Sequence, residues 1–166
     1  MKYLTSAQND TLKSLVRLAS RPAERRKSGL LVLEGLHLVD AWLARQPRLD
    51  QLFVREDALA HPEVTALLAR LSADTPVAVV PAALLGKASE LASPAEVIAL
   101  APIPVPAPYH GGSVLLLDDV QDPGNLGTLL RTAAAADVRR VYLSAGCADV
   151  WSGKALRAGM GAQFAL

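Results

Sequence analysis

Residues 114–136 read VLLLDDVQDPGNLGTLLRTAAAA, and this stretch decides the fold. Val114 to Leu117 are four consecutive apolar residues. Such a run fits a parallel strand covered on both faces. Asp118 and Asp119 end it, and Asp122-Pro123-Gly124-Asn125 is turn chemistry, with proline fixing φ and glycine permitting positive φ. Asn125 is a good helix N-cap, and Leu126, Leu129, Leu130 and Ala133 then recur at helical spacing. The pattern predicts strand, tight loop, helix. A loop between the C-terminal end of a parallel strand and a helix start is a common ligand site in α/β sheets.

Two residues in this stretch suit chemistry as well as packing. Asn125 stands at the helix start and Arg131 six residues later. A polar loop residue and a guanidinium near one helix start can together hold a phosphate or a ribose. The plainer reading is a capped turn with a solvated arginine. The acidic pair Asp118-Asp119 is read as a strand terminator and not as acid–base machinery.

The wider text, DPGNLGTLLRTAAAADV followed by RAGMGAQFAL, resembles the SpoU/TrmH family of RNA ribose 2′-O-methyltransferases, of the SPOUT class. The resemblance spans Leu116 to Leu166 and includes Asn125, Gly127, Arg131, Thr132 and Ala133. It implies that Asn125 and Arg131 belong to the catalytic site. It implies S-adenosylmethionine as cofactor, RNA (rRNA or tRNA) as substrate, and a homodimer for the whole enzyme. It also implies a Rossmann-like parallel sheet whose C-terminal part forms a trefoil knot around the cofactor. The family's later motifs, a Gly-rich segment with a Glu and a Ser-Leu-Asn segment, have no counterpart here. The cofactor-binding residues are therefore expected beyond Leu166, and these 166 residues are expected to bind RNA without binding cofactor.

Upstream, strand-like runs at Leu30–Leu33, Leu49–Val54, Val77–Val80 and Val97–Leu100 alternate with helical patterns. The helical patterns carry Leu36, Val39, Trp42 and Leu43, and then Val64, Leu67, Leu68 and Leu71. This is α/β patterning. LLVLEG at Leu30–Gly35, LFV at Leu52–Val54 and SPAEVIAL at Ser93–Leu100 also resemble the family's substrate-binding domain, a ribosomal-protein-like α/β/α RNA-binding fold. APIPVPAP at 101–108, then His110-Gly111-Gly112, reads as a semi-rigid spacer with a flexible end. The expected organisation is an RNA substrate-binding domain at 1–100, a linker at 101–112 and the first half of a methyltransferase domain at 113–166. In that last part, Val141–Leu143 is expected as a strand, Trp151–Arg157 as a helix, and Gln163–Leu166 as the start of a third strand.

Net charge is only +1, but residues 1–27 carry seven basic side chains and two acidic ones. A basic end on a near-neutral chain points to a polyanion. Ser6 to Asn9 offers caps for a helix with Leu12, Leu15, Val16 and Ala19 on its apolar face. Lys13, Arg17 and Arg21 are four apart and should stack on another face. Pro22 can open a second helix that Gly29 stops. Arg17, Arg21, Arg25, Arg26 and Lys27 are the candidate RNA contacts.

The composition excludes other classes. No apolar run reaches the length of a membrane span. The single Cys147 cannot pair internally and fits a reducing cytoplasm; His37, His61 and His110 are scattered, so no metal is expected. No G-x-G-x-x-G follows a strand, which argues against a dehydrogenase-like nucleotide site. The alternative kept beside the enzyme is a non-catalytic RNA-binding scaffold.

Overall fold

The computed structural model describes residues 1–46 and 48–166. The chain divides into two compact units, Met1–Ile103 and Pro104–Leu166.

Unit 1 runs β1 (Lys2–Tyr3), α1 (Asp10–Ser20), α2 (Pro22–Ser28), β2 (Leu30–Glu34), α3 (Leu36–Leu43), β3 (Gln51–Arg55), α4 (Pro62–Arg70), β4 (Val77–Val80), α5 (Ala82–Leu85) and β5 (Val97–Pro102). Its five strands form one mixed sheet in the order β1-β4-β3-β5-β2. β4 pairs parallel with β1 and β3, while β5 runs antiparallel to β3 and β2. The two-residue edge strand β1 is too short to register as a periodic pattern.

Side chains alternate across a strand, so adjacent buried residues mean two covered faces. Val32, Phe53, Ala78, Val80, Ile98 and Leu100 share a cluster with Leu12, Leu15 and Leu18 of α1 and Leu85 of α5. Their neighbours Leu31, Leu33, Leu52, Val54, Val79, Val97 and Ala99 are equally buried. On that other side α3 packs on β2 and β5 and touches α4. The layering is helices, sheet, helices, as α/β patterning predicts.

The helix ends follow local chemistry. The Asn9 side-chain oxygen accepts from the N–H groups of Thr11 (3.0 Å) and Leu12 (3.4 Å), capping α1. Gly29 stops α2 in the left-handed region at φ 67°. Arg21 has left the helix (φ −121°, ψ 110°), so it does not stack with Lys13 and Arg17 as the four-residue spacing suggested. β5 continues through Ala101 and Pro102, later than the linker boundary read from the prolines. Gln51 of β3 lies opposite Leu100, so Pro102 stands past β3's end and its missing N–H breaks no bond there.

Unit 2 holds β6 (Val114–Leu117), α6 (Pro123–Ala135), β7 (Arg140–Leu143) and α7 (Gly153–Gly159). β6 and β7 pair in parallel, as a βαβ unit requires. β6 is not covered on both faces: Leu116 is 73% exposed and Val114 43%, and Tyr142 of β7 beside Leu116 is exposed too. Gln163–Leu166 does not begin a strand. Met160 (φ 51°) and Gly161 (φ 75°) turn the chain back into a 3-10 turn at Ala162–Ala165. There the Gln163 amide is buried and donates to the carbonyl of Ala155 at 2.9 Å.

The linker's second half makes polar contacts with β7 and with itself. Arg140 donates to the carbonyl of Ala107 and lies 5.7 Å over the Tyr109 ring, whose hydroxyl donates to Gly112 O at 2.6 Å. Arg140 is thus half-buried. Gly112 (φ 115°) passes so close to Arg139 that a Cβ would lie 2.6 Å from its Cγ.

Candidate functional site

The loop between β6 and α6 is built around Asp122. Asp122, and not Asn125, is the N-cap of α6: its Oδ1 accepts from the Asn125 N–H at 2.8 Å. Asp-Pro explains the shift, because Pro123 occupies the first helical position, where a missing N–H costs nothing. Oδ2 of Asp122 accepts from Lys154 Nζ of α7 at 2.9 Å. The Lys154 ammonium first, and the Asn125 N–H second, hold the Asp122 carboxyl below its ordinary value. Nothing in the local sequence of the loop points to Lys154, which lies 32 residues downstream of its partner.

With the cap moved forward, Asn125 sits inside the first turn. It is exposed, and its side-chain amide has no hydrogen-bond partner among the described residues. Asn125, Thr128 and Arg131 follow at i, i+3 and i+6 along the exposed side of α6, while Leu126, Leu130 and Ala133 go inward. Leu129 stays 40% exposed, so the apolar face is narrower than the spacing suggested. Asn125 and Arg131 are about 9 Å apart along the axis at 1.5 Å per residue, and they do not touch. The Thr128 hydroxyl donates to Gly124 O and is taken up by the helix. Arg131 is exposed, and its Nη1 reaches Met160 Sδ, a weak acceptor, at 3.5 Å. This contact steadies the guanidinium and leaves most of its donors free.

Gly127 explains how α6 and α7 come together. A Cβ there would lie 2.5 Å from Ala155 O and 2.7 Å from both Ala158 Cβ and Gly159 N. The close crossing puts Lys154 beside Asp122 and Met160 beside Arg131. Above the strands, the loops after β6 and β7 bond to each other. The Asp119 N–H donates to Ser144 Oγ (3.1 Å) and the Ala148 N–H to Val120 O (2.9 Å). Asp119 adopts φ 54°, and its Oδ1 would clash with a Cβ on Gly146 at 2.5 Å. Asp119 therefore shapes this crest, as turn chemistry suggested.

The five candidate RNA contacts separate in space. Arg17, Arg21, Arg26 and Lys27 are exposed. Arg25 is 3% exposed, so it is not available at the surface. Its Nη1 donates to the carbonyls of Leu18 (2.6 Å) and Ala19 (3.0 Å) in the last turn of α1. Helix C-termini leave carbonyls without internal partners, and a guanidinium satisfies them. His37, His61 and His110 are exposed, and no group of three metal-ligating side chains is found among the described residues. No helix among the described residues is long and apolar enough to cross a membrane.

Residues 112–166 match the SpoU rRNA Methylase family, and residues 9–99 match the MRM3-like substrate binding domain. The chain belongs to the SpoU/TrmH family of RNA methyltransferases. It is similar to the 23S rRNA (guanosine(2553)-2′-O)-methyltransferase RlmP of Bacillus subtilis (strain 168). That match is 33% identical over 166 residues, covering 99% of this chain and 63% of that protein. Mouse mitochondrial rRNA methyltransferase 3 is 59% identical over 51 residues, 31% of this chain and 12% of that protein.

Among solved structures, an RNA 2′-O ribose methyltransferase superposes with a TM-score of 0.81 at 31% identity, covering 99% of this chain and 63% of that one. An AdoMet-bound rRNA methyltransferase from Sinorhizobium meliloti gives 0.78 at 27% identity, covering 99% and 62%. The α/β architecture is thus that of SPOUT methyltransferases. This SpoU/TrmH chain spans less than two thirds of the length of RlmP and of both solved structures.

Proposed function

We propose that this chain is the substrate-binding domain and the leading part of the catalytic domain of an RNA ribose 2′-O-methyltransferase acting on rRNA or tRNA. The observation that carries the reading is the exposed pair on α6. Asn125 keeps an unpartnered amide, and Arg131 keeps most of its donors, on a helix that opens at the C-terminal end of a parallel strand. The collinear match of both units to family domains supports it. Homodimeric assembly of the whole enzyme belongs to the same reading.

S-adenosylmethionine would supply the electrophilic methyl group. The donors at the crest of β6 and β7 are engaged with one another through Asp119, Ser144, Val120 and Ala148, so none of these residues is assigned to the cofactor. What this chain contributes lies on the RNA side. A ribose 2′-hydroxyl becomes a nucleophile as its proton leaves, and negative charge develops on its oxygen. Arg131 offers a planar fork of donors suited to that oxygen or to the adjacent phosphate. It acts as a cation and not as a base, because a guanidinium carries donors only and no acceptor atom. Asn125, six residues earlier on the same helix, orients the nucleotide through its amide.

The test uses the longest natural polypeptide that carries this chain, with radiolabelled S-adenosylmethionine and rRNA or tRNA. The expected product is label in RNA at a linkage that resists alkali, because a blocked 2′-oxygen cannot attack its own phosphodiester. Label on a base would overturn the ribose assignment. RNA binding with no transfer would leave the non-catalytic scaffold.

A further inference from the structure

Unit 1 carries an apolar groove of about 310 Å³ between α1 and α5, floored by Leu12, Val16 and Leu84. Three cations complete its wall: Lys13 and Arg17, one turn apart on α1, and Lys87 from the 3-10 turn after α5. No acidic residue lines it. All three cations are exposed, and none has an ion-pair or side-chain hydrogen-bond partner among the described residues. Lys87 stands outside the basic run that the sequence picks out, and only the fold brings it to α1.

The two halves of this site ask for different chemistry. An aliphatic floor of buried Leu12 and half-buried Val16 and Leu84 gains nothing from a phosphate but accepts a flat, weakly polar face. A rim of unpaired cations without acidic neighbours attracts anions. A nucleotide whose base has left its stack has both parts in one molecule. Base faces are hidden in a duplex and open in loops, bulges and single strands.

We propose that this groove holds one unstacked nucleotide of the substrate RNA, its base on Leu12, Val16 and Leu84 and its flanking phosphates on Lys13, Arg17 and Lys87. The proposal rests on the reading of unit 1 as an RNA substrate-binding domain. It selects a structural class of target, an open loop, and so contributes to which nucleotide is presented for methylation.

Fluorescence anisotropy of the intact chain tests it, with a labelled RNA hairpin bearing an open loop, a blunt duplex of the same stem, and a series of potassium chloride concentrations. The hairpin should bind more tightly than the duplex. Lys13→Gln with Lys87→Gln should weaken hairpin binding about tenfold and flatten the logarithmic salt dependence by about two units, one for each phosphate no longer neutralised. Leu84→Gln, which leaves the charge unchanged, should erase the preference for hairpin over duplex while keeping the salt slope. Arg45→Gln with Arg48→Gln removes equal charge from the loop after α3, outside the groove lining, and should have little effect; thermal melts by circular dichroism verify that each variant folds.

Equal losses from the two charge pairs would mean diffuse attraction only. That outcome overturns the groove and leaves RNA binding by unit 1 standing. Displacement of the hairpin by polyglutamate as readily as by unlabelled loop RNA would assign the groove to an acidic protein segment instead. Failure of the chain to bind either RNA would overturn the proposal together with the reading beneath it.

Discussion

Unit 1 and unit 2 use the same kind of strand in two different settings. Leu31, Val32 and Leu33 of β2 are each no more than 7% exposed, because helices cover both sides of that sheet. Val114 to Leu117 is just as apolar, yet Leu116 is 73% exposed. The packing of unit 2 is concentrated where α6 crosses α7, through Gly127, and not across its two strands. The comparison separates two properties that hydrophobic runs confound. A run of four apolar residues specifies a strand, and the elements around it decide how many of its faces are dry.

The contrast predicts where each unit breaks. Phe53 is fully buried in the middle of unit 1. Phe53→Ala should cost about 3–5 kcal/mol in urea unfolding. Trp42 reports on unit 1 and Trp151 on unit 2, so fluorescence of single-tryptophan versions should place that loss in the Trp42 transition alone. A matching loss in the Trp151 transition would mean that the two units unfold as one.

Gly127→Val should have the converse effect. Its side chain meets backbone at 2.5 Å, so α6 must move off α7, at a cost of about 1–3 kcal/mol or more in the Trp151 transition. The same change should weaken any activity that depends on Arg131, because Met160 moves with α7.

A smaller effect belongs to Asp122. Its folded pKa lies below the ordinary value near 3.8, chiefly through Lys154. The stabilisation is therefore complete above pH 3.8 and is lost as pH falls through 3.8 and then through the lowered folded value. Acid titration of unit 2 stability should show a step in that window that is smaller in Lys154→Met, where the Asn125 N–H still holds the carboxylate. An identical step in both proteins would remove the ion pair from the account. Smallest of all is Leu116→Ser, which should change stability by no more than about 0.5 kcal/mol, since the side chain is already mostly in water. A large loss there would show that β6 is covered in solution.

Most strands and helices were legible because each depends on short-range pattern. Leu30–Leu33 and Val77–Val80 lie inside the strands they predict, and Gly29 and Pro22 mark real helix ends. The failures share a cause. Arg25 reads as one more surface cation until α2 folds back and places it under the carbonyls of Leu18 and Ala19. Gln163 reads as strand until two left-handed residues turn it against Ala155. Asn125 reads as the cap because Asp122, followed by proline, reads as part of the turn. The Asp122–Lys154 pair, and the placing of Lys87 beside Lys13 and Arg17, join residues far apart in the chain, which periodicity does not reveal. Asn125 and Arg131 were legible as candidates from family resemblance. Their placement on one exposed side of α6 came only with the fold.

The central claim is that Arg131 stabilises charge at the reacting ribose. It is tested most directly by single-turnover methylation with saturating RNA and S-adenosylmethionine, in the longest natural polypeptide carrying this chain. Saturation removes binding from the measurement. Arg131→Ala should slow transfer by about 10²–10³, the usual effect of losing one preorganised donor, and Arg131→Lys should recover little because it keeps the charge but loses the fork. Transfer by Arg131→Ala at the parent rate would contradict the account.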